Sequence, residues 1–200
     1  MSVLLDAGPS LNFLAVRQEN VLIQVAASKS LELAVPARVD KEILGVCEDA
    51  RFSKTPASAT WKRLKGAGRV VVLDDTLSTQ QLIDAVSRIS GQSAHERVRA
   101  KKSLGEIMVL AHASVFAQQG RYVYVLIDEG DGRARAQRTI AWLRDVEAPG
   151  QLTLWSTRQV LKHASTQPGW IKGNLTWEAI YRQMRQFDDG LPALRQSGSH

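Results

Sequence analysis

The chain has 200 residues, of which 44% are hydrophobic, and its formal charge is +6 at pH 7. This length and apolar content suit one α/β domain better than two small ones. Because Cys47 is the only cysteine, an internal disulfide and a cysteine-built zinc site are excluded, and Cys47 is expected in the core.

The first predicted strand is the apolar run 2–5, which is followed by Asp6. Gly8 and Pro9 predict a turn, so the first helix is expected to begin at Ser10 or Leu11. Parallel sheets bind their ligands just beyond the carboxyl ends of the strands. An acidic residue such as Asp6 between a strand and a helix is therefore a candidate for function.

The rest of the chain alternates helical and strand patterns. Strands are predicted at 31–35, 69–73, 122–127 and 152–155, and helices at two places within 11–26, from Ala37, and at 61–65, 77–89, 104–120, 133–143, 158–164 and 177–187. This alternation predicts an α/β three-layer sandwich, in which helices cover both faces of a mainly parallel five-stranded sheet.

One domain is expected over residues 1–196, with a helical extension at about 169–194 and a loose tail at 197–200. The N-terminus lacks the pattern of a signal peptide, and no apolar run approaches the roughly 18 residues that cross a bilayer. The protein is therefore predicted to be cytoplasmic. The excess of Lys and Arg favours a polyanionic partner.

Three predicted strands are followed by acids: Asp6, the pair Asp74 and Asp75, and the pair Asp128 and Glu129. If the first and fourth strands are neighbours, Asp6 and Asp128 follow strands about 4.8 Å apart, whereas Asp74 on an outer strand is at least twice as far. Two carboxylates so close favour a hard divalent cation with oxygen ligands.

Two glutamates add to this set. Glu106 lies in an apolar run, and Glu42 lies near the start of a predicted helix. A carboxylate among apolar neighbours requires a partner. Each acid taken singly also fits a plainer role, because Asp after a strand often caps a helix and Glu on a helix is often solvated.

Other chemistries have weaker support in the sequence. The motifs GxSxG, GxxxxGK[ST] and GxGxxG are absent, and the four histidines show no metal-pair spacing.

Four segments, taken in order, resemble the motifs of PIN-domain nucleases. They are residues 4–10 with Asp6, 35–43 with Glu42, 104–111 with Glu106 and 126–136 with Asp128. Residues 153–157 with Val160 and Leu161 are similar to the last strand and turn of that family, so the resemblance spans about 2–165. It implies a PIN-like fold and a Mg²⁺- or Mn²⁺-dependent ribonuclease, most familiarly the toxin of a bacterial toxin–antitoxin pair. A cognate antitoxin and a homodimer are expected from the same resemblance.

The resemblance also implies roles for particular residues. The catalytic acids would be Asp6, Glu42, Glu106 and Asp128, with Asp131 a candidate fifth and with Ser10 and Asn12 as polar neighbours. Asp6, Glu106 and Asp128 would bind the metal directly, while Glu42 would hold a ligand or a metal-bound water. Whether Asp128, Glu129 or Asp131 completes the site stays open, because Gly-Glu and Gly-Asp-Gly depart from the usual third and fourth motifs.

Basic segments at 61–65, 97–102 and 133–144 would hold the RNA backbone electrostatically. The candidate contacts are Lys62, Arg63, Lys101, Lys102, Arg133 and Arg135. Trp61 would stack on a base, although packing in the core or in a dimer explains it better. Two alternatives stay open: an inactive PIN-fold module that binds RNA or protein, and a receiver-like or nucleotide-binding domain in which Asp6 and Asp128 hold Mg²⁺.

Overall fold

The structure is a computed structural model that describes residues 1–100 and 102–194. Its strands are β1 (Ser2–Leu5), β2 (Glu32–Pro36), β3 (Val71–Leu73), β4 (Tyr122–Leu126) and β5 (Gln151–Trp155). Its helices are α1 (Ala7–Ala15), α2 (Glu19–Ser28), α3 (Ala37–Val46), α4 (Ala57–Gly66), α5 (Gln80–Ser90), α6 (Ala94–Arg97), α7 (Leu104–Gln118), α8 (Gly130–Asp145), α9 (Thr157–Ser165) and α10 (Trp177–Met184). A short 3₁₀ turn, Lys172–Asn174, precedes α10.

The five strands form one sheet in the order β3-β2-β1-β4-β5, and every neighbouring pair is parallel. The fold class predicted from the sequence is therefore confirmed: an α/β chain whose sheet and helices are consistent with a three-layer sandwich. β1 lies at the centre between β2 and β4, as expected for a doubly wound sheet, and β3 is an edge strand. The carboxyl ends of all five strands consequently share one edge.

At two of the helix starts that differ from prediction, glycine and proline form the first turn of the helix and not a turn before it. α1 begins at Ala7 instead of Ser10 or Leu11, with Pro9 in its first turn. Proline is tolerated there because the first backbone N–H groups of a helix have no partner within the helix. Similarly, α8 begins at Gly130, so the Gly-Asp-Gly segment forms its first turn. Asp6 and Glu129 therefore lie directly at helix N-termini.

Trp61 and Cys47 are both packed in the interior. Trp61 is 1% exposed, and its Nε1 donates a hydrogen bond of 2.7 Å to Oδ1 of Asp40. This burial leaves no ring face for a base to stack on. Cys47 is also buried, as predicted.

The C-terminal segment completes the same core. Ile180, Met184 and Leu191 belong to the apolar cluster that surrounds the central strands. The hydroxyl of Tyr181 donates to the backbone oxygen of Pro192 at 2.9 Å, which holds the residues after α10 against that helix. Within residues 1–100 and 102–194, none of the helices combines the length and the apolar character needed to cross a membrane.

Gly150 provides a test of the turn that leads from α8 into β5. A Cβ there would lie 2.6 Å from the backbone oxygen of Ala117, whereas a Cβ on Gly45 in α3 would meet nothing within 4 Å. We expect Gly150→Ala to lower the free energy of unfolding by about 1–3 kcal/mol because backbone atoms cannot move aside. The matched control, Gly45→Ala, should raise it by roughly 0.5–1 kcal/mol through helix propensity. Urea denaturation measures both, and equal stabilities would contradict this account of the turn.

Candidate active site

A group of carboxylates lies at the carboxyl edge of the sheet, and Asp6 is at its centre. Asp6 directly follows β1, and its backbone N–H donates to the oxygen of Leu126 on β4 at 3.2 Å. Burial raises the pKa of the Asp6 carboxyl from 3.8 to about 7, and the negative charges of Glu42, Glu106 and Glu129 reinforce this effect against a backbone hydrogen bond from Ala7. Four acids from four parts of the chain therefore share one electrostatic environment.

Glu106 lies in the first turns of α7 and is 6% exposed. Burial raises its pKa, while Arg135 opposes the shift through its charge and through a hydrogen bond of 2.9 Å from Nη1 to Oε1 of Glu106. Gly132 makes room for the other oxygen, since a Cβ on Gly132 would lie 2.6 Å from Oε2 of Glu106. The glycine of the fourth motif therefore has a steric role at the acid of the third.

Glu42 on α3 reaches towards the same helix. Glu42 is an exposed residue, but its Oε2 lies where a Cβ on Gly105 would approach within 2.7 Å. Partial burial of the carboxyl raises the pKa of Glu42, with Arg38 opposing the shift and Glu129 adding to it. At the start of α7, Gly105 thus makes room for Glu42, and Glu106 supplies a second carboxylate.

Asp128 occupies a different environment from Asp6, although β1 and β4 are neighbours as predicted. The register pairs Leu5 with Leu126, so Asp6 is level with Ile127, one residue short of Asp128. Side chains alternate between the two faces of a sheet, and a one-residue offset sends them in opposite directions. Both oxygens of Asp128 accept hydrogen bonds from Thr157, one from its backbone N–H at 2.9 Å and one from its hydroxyl at 2.5 Å.

Burial raises the pKa of Asp128, and the hydrogen bonds from Thr157 lower it. The negative charge that acts on Asp128 most is that of Asp188, which follows α10. Glu129, the next residue after Asp128, also belongs to the fourth motif. Its negative charge raises the pKa of Asp6, Glu42 and Glu106, and the charge of exposed Asp131 raises the pKa of Glu106.

The two predicted polar neighbours have structural partners. Ser10 donates from Oγ to the backbone oxygen of Asp6 at 2.7 Å, which fixes the first turn of α1. Asn12 is fully buried and donates from Nδ2 to Oδ2 of Asp188 at 2.7 Å. Asp188 was not identified from the sequence. These two partners are 176 residues apart, and no local pattern marks the contact.

The predicted RNA contacts divide into bonded and exposed residues. Arg133 donates to the backbone oxygens of Ile127 at 2.9 Å and Trp155 at 3.3 Å, so it ties the ends of β4 and β5 together. Arg135 is held by Glu106. The remaining candidates are Lys62, Arg63 and Lys102, which are exposed, and Lys101, which lies outside the described residues. Arg63 also lies 3.6 Å from a carboxylate oxygen of Glu19.

The acids suit a hard divalent cation in their chemistry, because every donor is an oxygen and repulsion among the carboxylates would be relieved by positive charge. In the part of the chain that the structure describes, no group of three or more His, Cys, Asp or Glu residues is arranged to hold a metal ion. The Arg135 bond to Glu106 takes up one of the oxygens concerned. Binding an ion at this site would therefore require the side chains to rearrange.

Comparison of the chain with protein-family models, with curated proteins and with solved structures finds no significant match.

The raised pKa of Asp6 predicts that stability falls as the pH rises. Between its ordinary value of 3.8 and about 7, the folded protein keeps a proton that the unfolded chain releases, so the free energy of unfolding decreases across this interval. Asp6→Asn removes this titration. The free energy of unfolding of the variant should therefore fall less over the same interval, the difference from wild type being a few kcal/mol at most. Urea denaturation at about pH 4 and about pH 7, with a chelator present, measures both proteins. Equal pH dependence in the two would show that Asp6 titrates normally.

Proposed function

We propose that the protein is a metal-dependent endoribonuclease that hydrolyses RNA phosphodiester bonds at the site formed by Asp6, Glu42 and Glu106. The observation that carries the proposal is the convergence of these carboxylates, all with raised pKa, at the carboxyl edge of a parallel sheet. Burying Asp6 and Glu106 among carboxylates that repel them opposes folding, and such arrangements are concentrated at functional sites.

In this proposal the acids hold Mg²⁺ or Mn²⁺. When bound, such an ion polarises the phosphate and helps to activate water for hydrolysis. The oxygen ligands would come from Asp6 after β1, Glu42 on α3 and Glu106 on α7. We assign Glu129 as the acid of the fourth motif that joins them, because its negative charge raises the pKa of all three. Asp128 then positions the N-terminus of α9 through Thr157.

Arg135 has a second role in the proposal. Its guanidinium pairs with Glu106 through Nη1, and the side chain is 27% exposed. An arginine offers several N–H donors in a planar fork that suits phosphate oxygens. Arg135 therefore balances the charge of Glu106 without RNA and is placed to contact a phosphate when RNA occupies the site.

The motif resemblance extends the proposal to the biological setting. A toxin of a toxin–antitoxin pair would act on RNA in the cytoplasm, form a homodimer and be neutralised by a small antitoxin that covers the acidic site.

One observation favours a second candidate, an inactive module of the same fold that binds RNA or protein. The Thr157 bonds occupy both oxygens of Asp128, and the Arg135 bond occupies one oxygen of Glu106, without any metal. Such a protein would bind RNA unchanged after substitution of Asp6 and would cleave none.

Cleavage of total RNA by the purified protein tests the main proposal. With Mg²⁺ or Mn²⁺ we expect discrete fragments that disappear in EDTA. Asp6→Asn should lower the rate by about a hundredfold or more, since changes one shell further from a metal already cost about ten- to hundredfold. The matched control is Asp74→Asn, which makes the same change after edge strand β3 at an exposed residue and should leave the rate unaltered. An intact Asp6→Asn protein that cleaves like wild type would refute the assignment.

Gly105→Ala tests the contribution of Glu42 without changing any charge. The new Cβ would lie 2.7 Å from Oε2 of Glu42, the mobile end of a side chain, and 3.3 Å from Cγ2 of buried Val39, so we expect the carboxyl to move and the fold to form at a small cost in stability. RNA cleavage should fall by about ten- to hundredfold, because small misplacements of catalytic groups are costly. Gly45→Ala on α3 is the control. A Gly105→Ala protein with full activity would remove Glu42 from the site.

A further inference from the structure

The edge strand β3 has apolar side chains exposed on both faces of the sheet. Val71 is 37% exposed and Val72 is 40% exposed, and successive side chains of a strand point to opposite faces. At the other edge of the sheet, every residue of β5 except Gln151 is buried or half-buried. β3 is therefore the open edge, and an exposed apolar edge strand is a template for pairing with another strand.

The register of the sheet determines which backbone groups of β3 face outward. The N–H of Glu32 donates to the oxygen of Met1 at 3.2 Å, so Glu32 faces β1. Because the two sides alternate along a strand, Val35 faces β3. Val35 is paired with Val72, and in a parallel ladder it bonds to the residues on either side of its partner. The N–H and C=O of Val72 consequently point towards the free edge.

These outward groups fit a second copy of the same strand. In a two-fold dimer one surface meets itself, and an antiparallel pair forms its hydrogen bonds between residues that face each other. With the axis at Val72, the two Val72 residues exchange both backbone bonds, and Val71 lies opposite Leu73 of the second copy. This register pairs the whole of β3. Residues 66–68 before the strand are Gly, Ala and Gly, so they present no large side chain to the second copy.

The charges that flank β3 are complementary in the same arrangement. Arg69 precedes the strand and Asp74 follows it, and both are exposed. Hydrogen bonds from Thr76 lower the pKa of Asp74, so its carboxylate is ionised at neutral pH. Antiparallel pairing brings the residues before β3 in one copy beside the residues after β3 in the other. Each Arg69 then lies next to the acidic pair Asp74 and Asp75, whereas a parallel pairing would place like charges together.

We propose that β3 is an interface between two copies of this chain, which pair antiparallel about Val72 and join their five-stranded sheets into one. The homodimer suggested by the motif resemblance thereby receives a defined surface, and this assignment does not depend on the nuclease activity. Because β3 has three residues, we expect a weak dimer that forms as the protein concentration rises. The carboxyl ends of the strands then lie at opposite edges of the joined sheet, so each copy keeps a separate acidic site.

A charge exchange measured by sedimentation velocity tests the arrangement. Arg69→Glu alone, and Asp74→Arg alone, place like charges together at both ends of the interface, so each should weaken dimerisation about tenfold. An equimolar mixture of the two variants restores opposite charges at both ends and should dimerise like wild type. The matched control is Lys54→Glu, the same charge change at an exposed residue away from β3, which should have no effect.

Cysteine cross-linking tests the register. The two Val72 residues would have Cα atoms about 5.5 Å apart, within the range that a disulfide spans, so Val72→Cys should form a covalent dimer on mild oxidation. The two Val71 residues are diagonal neighbours at about 7–8 Å, so Val71→Cys should cross-link far more slowly. Wild type should give no covalent dimer, because Cys47 is buried.

A wild-type protein that stays monomeric up to millimolar concentration would overturn the proposal. So would a mixture of the charge variants that associates no better than either alone, or equal cross-linking of the two cysteine variants. If a charge variant does not fold, the cross-linking result decides by itself. Neither measurement uses RNA: a monomeric protein that cleaves RNA refutes the interface and keeps the enzyme, and a dimer with these properties that cuts no RNA does the reverse.

Discussion

The parallel register of β1 against β4 is the constraint on which the candidate site depends. It pairs Leu5 with Leu126 and so places Asp6 level with Ile127. Asp6 then joins the acids from α3 and α7, while Asp128 is held by Thr157. A shift of one residue in this register would place Asp6 and Asp128 on the same face of the sheet. The hydrogen bonds of the central strands thus decide which carboxylates meet.

Space for the acids comes from glycines on neighbouring helices. Gly105 leaves room for Glu42, and Gly132 leaves room for Glu106. Because Glu is one methylene longer than Asp, it needs this space where two helices approach each other. The Gly-Glu and Gly-Asp-Gly segments are therefore sterically matched: the long acids Glu42 and Glu106 each lie against a residue that has no Cβ. The positive charge of Arg135 offsets the free-energy cost of burying the Glu106 carboxylate.

The fold followed well from the sequence because its signals are local. The apolar runs before Asp6, Pro36 and Asp128 predicted three central strands, and their alternation with helices predicted the parallel sheet. The helix starts at Ala7 and Gly130 were missed, since the pattern of glycine and proline is the same in a turn and in the first turn of a helix. The burial of Trp61 against Asp40 agrees with the favoured expectation that Trp61 packs rather than stacks on a base.

The sequence by itself determined the α/β class, the five strands and the acids that follow them, because hydrophobic periodicity and strand ends are properties of neighbouring residues. Only the tertiary structure decided which acids meet, since that depends on register and on helix packing between distant segments. It separated Asp128 from Asp6 and brought Arg135 to Glu106 and Asp188 to Asn12. Each of these contacts joins residues whose separation along the chain carries no periodic signal.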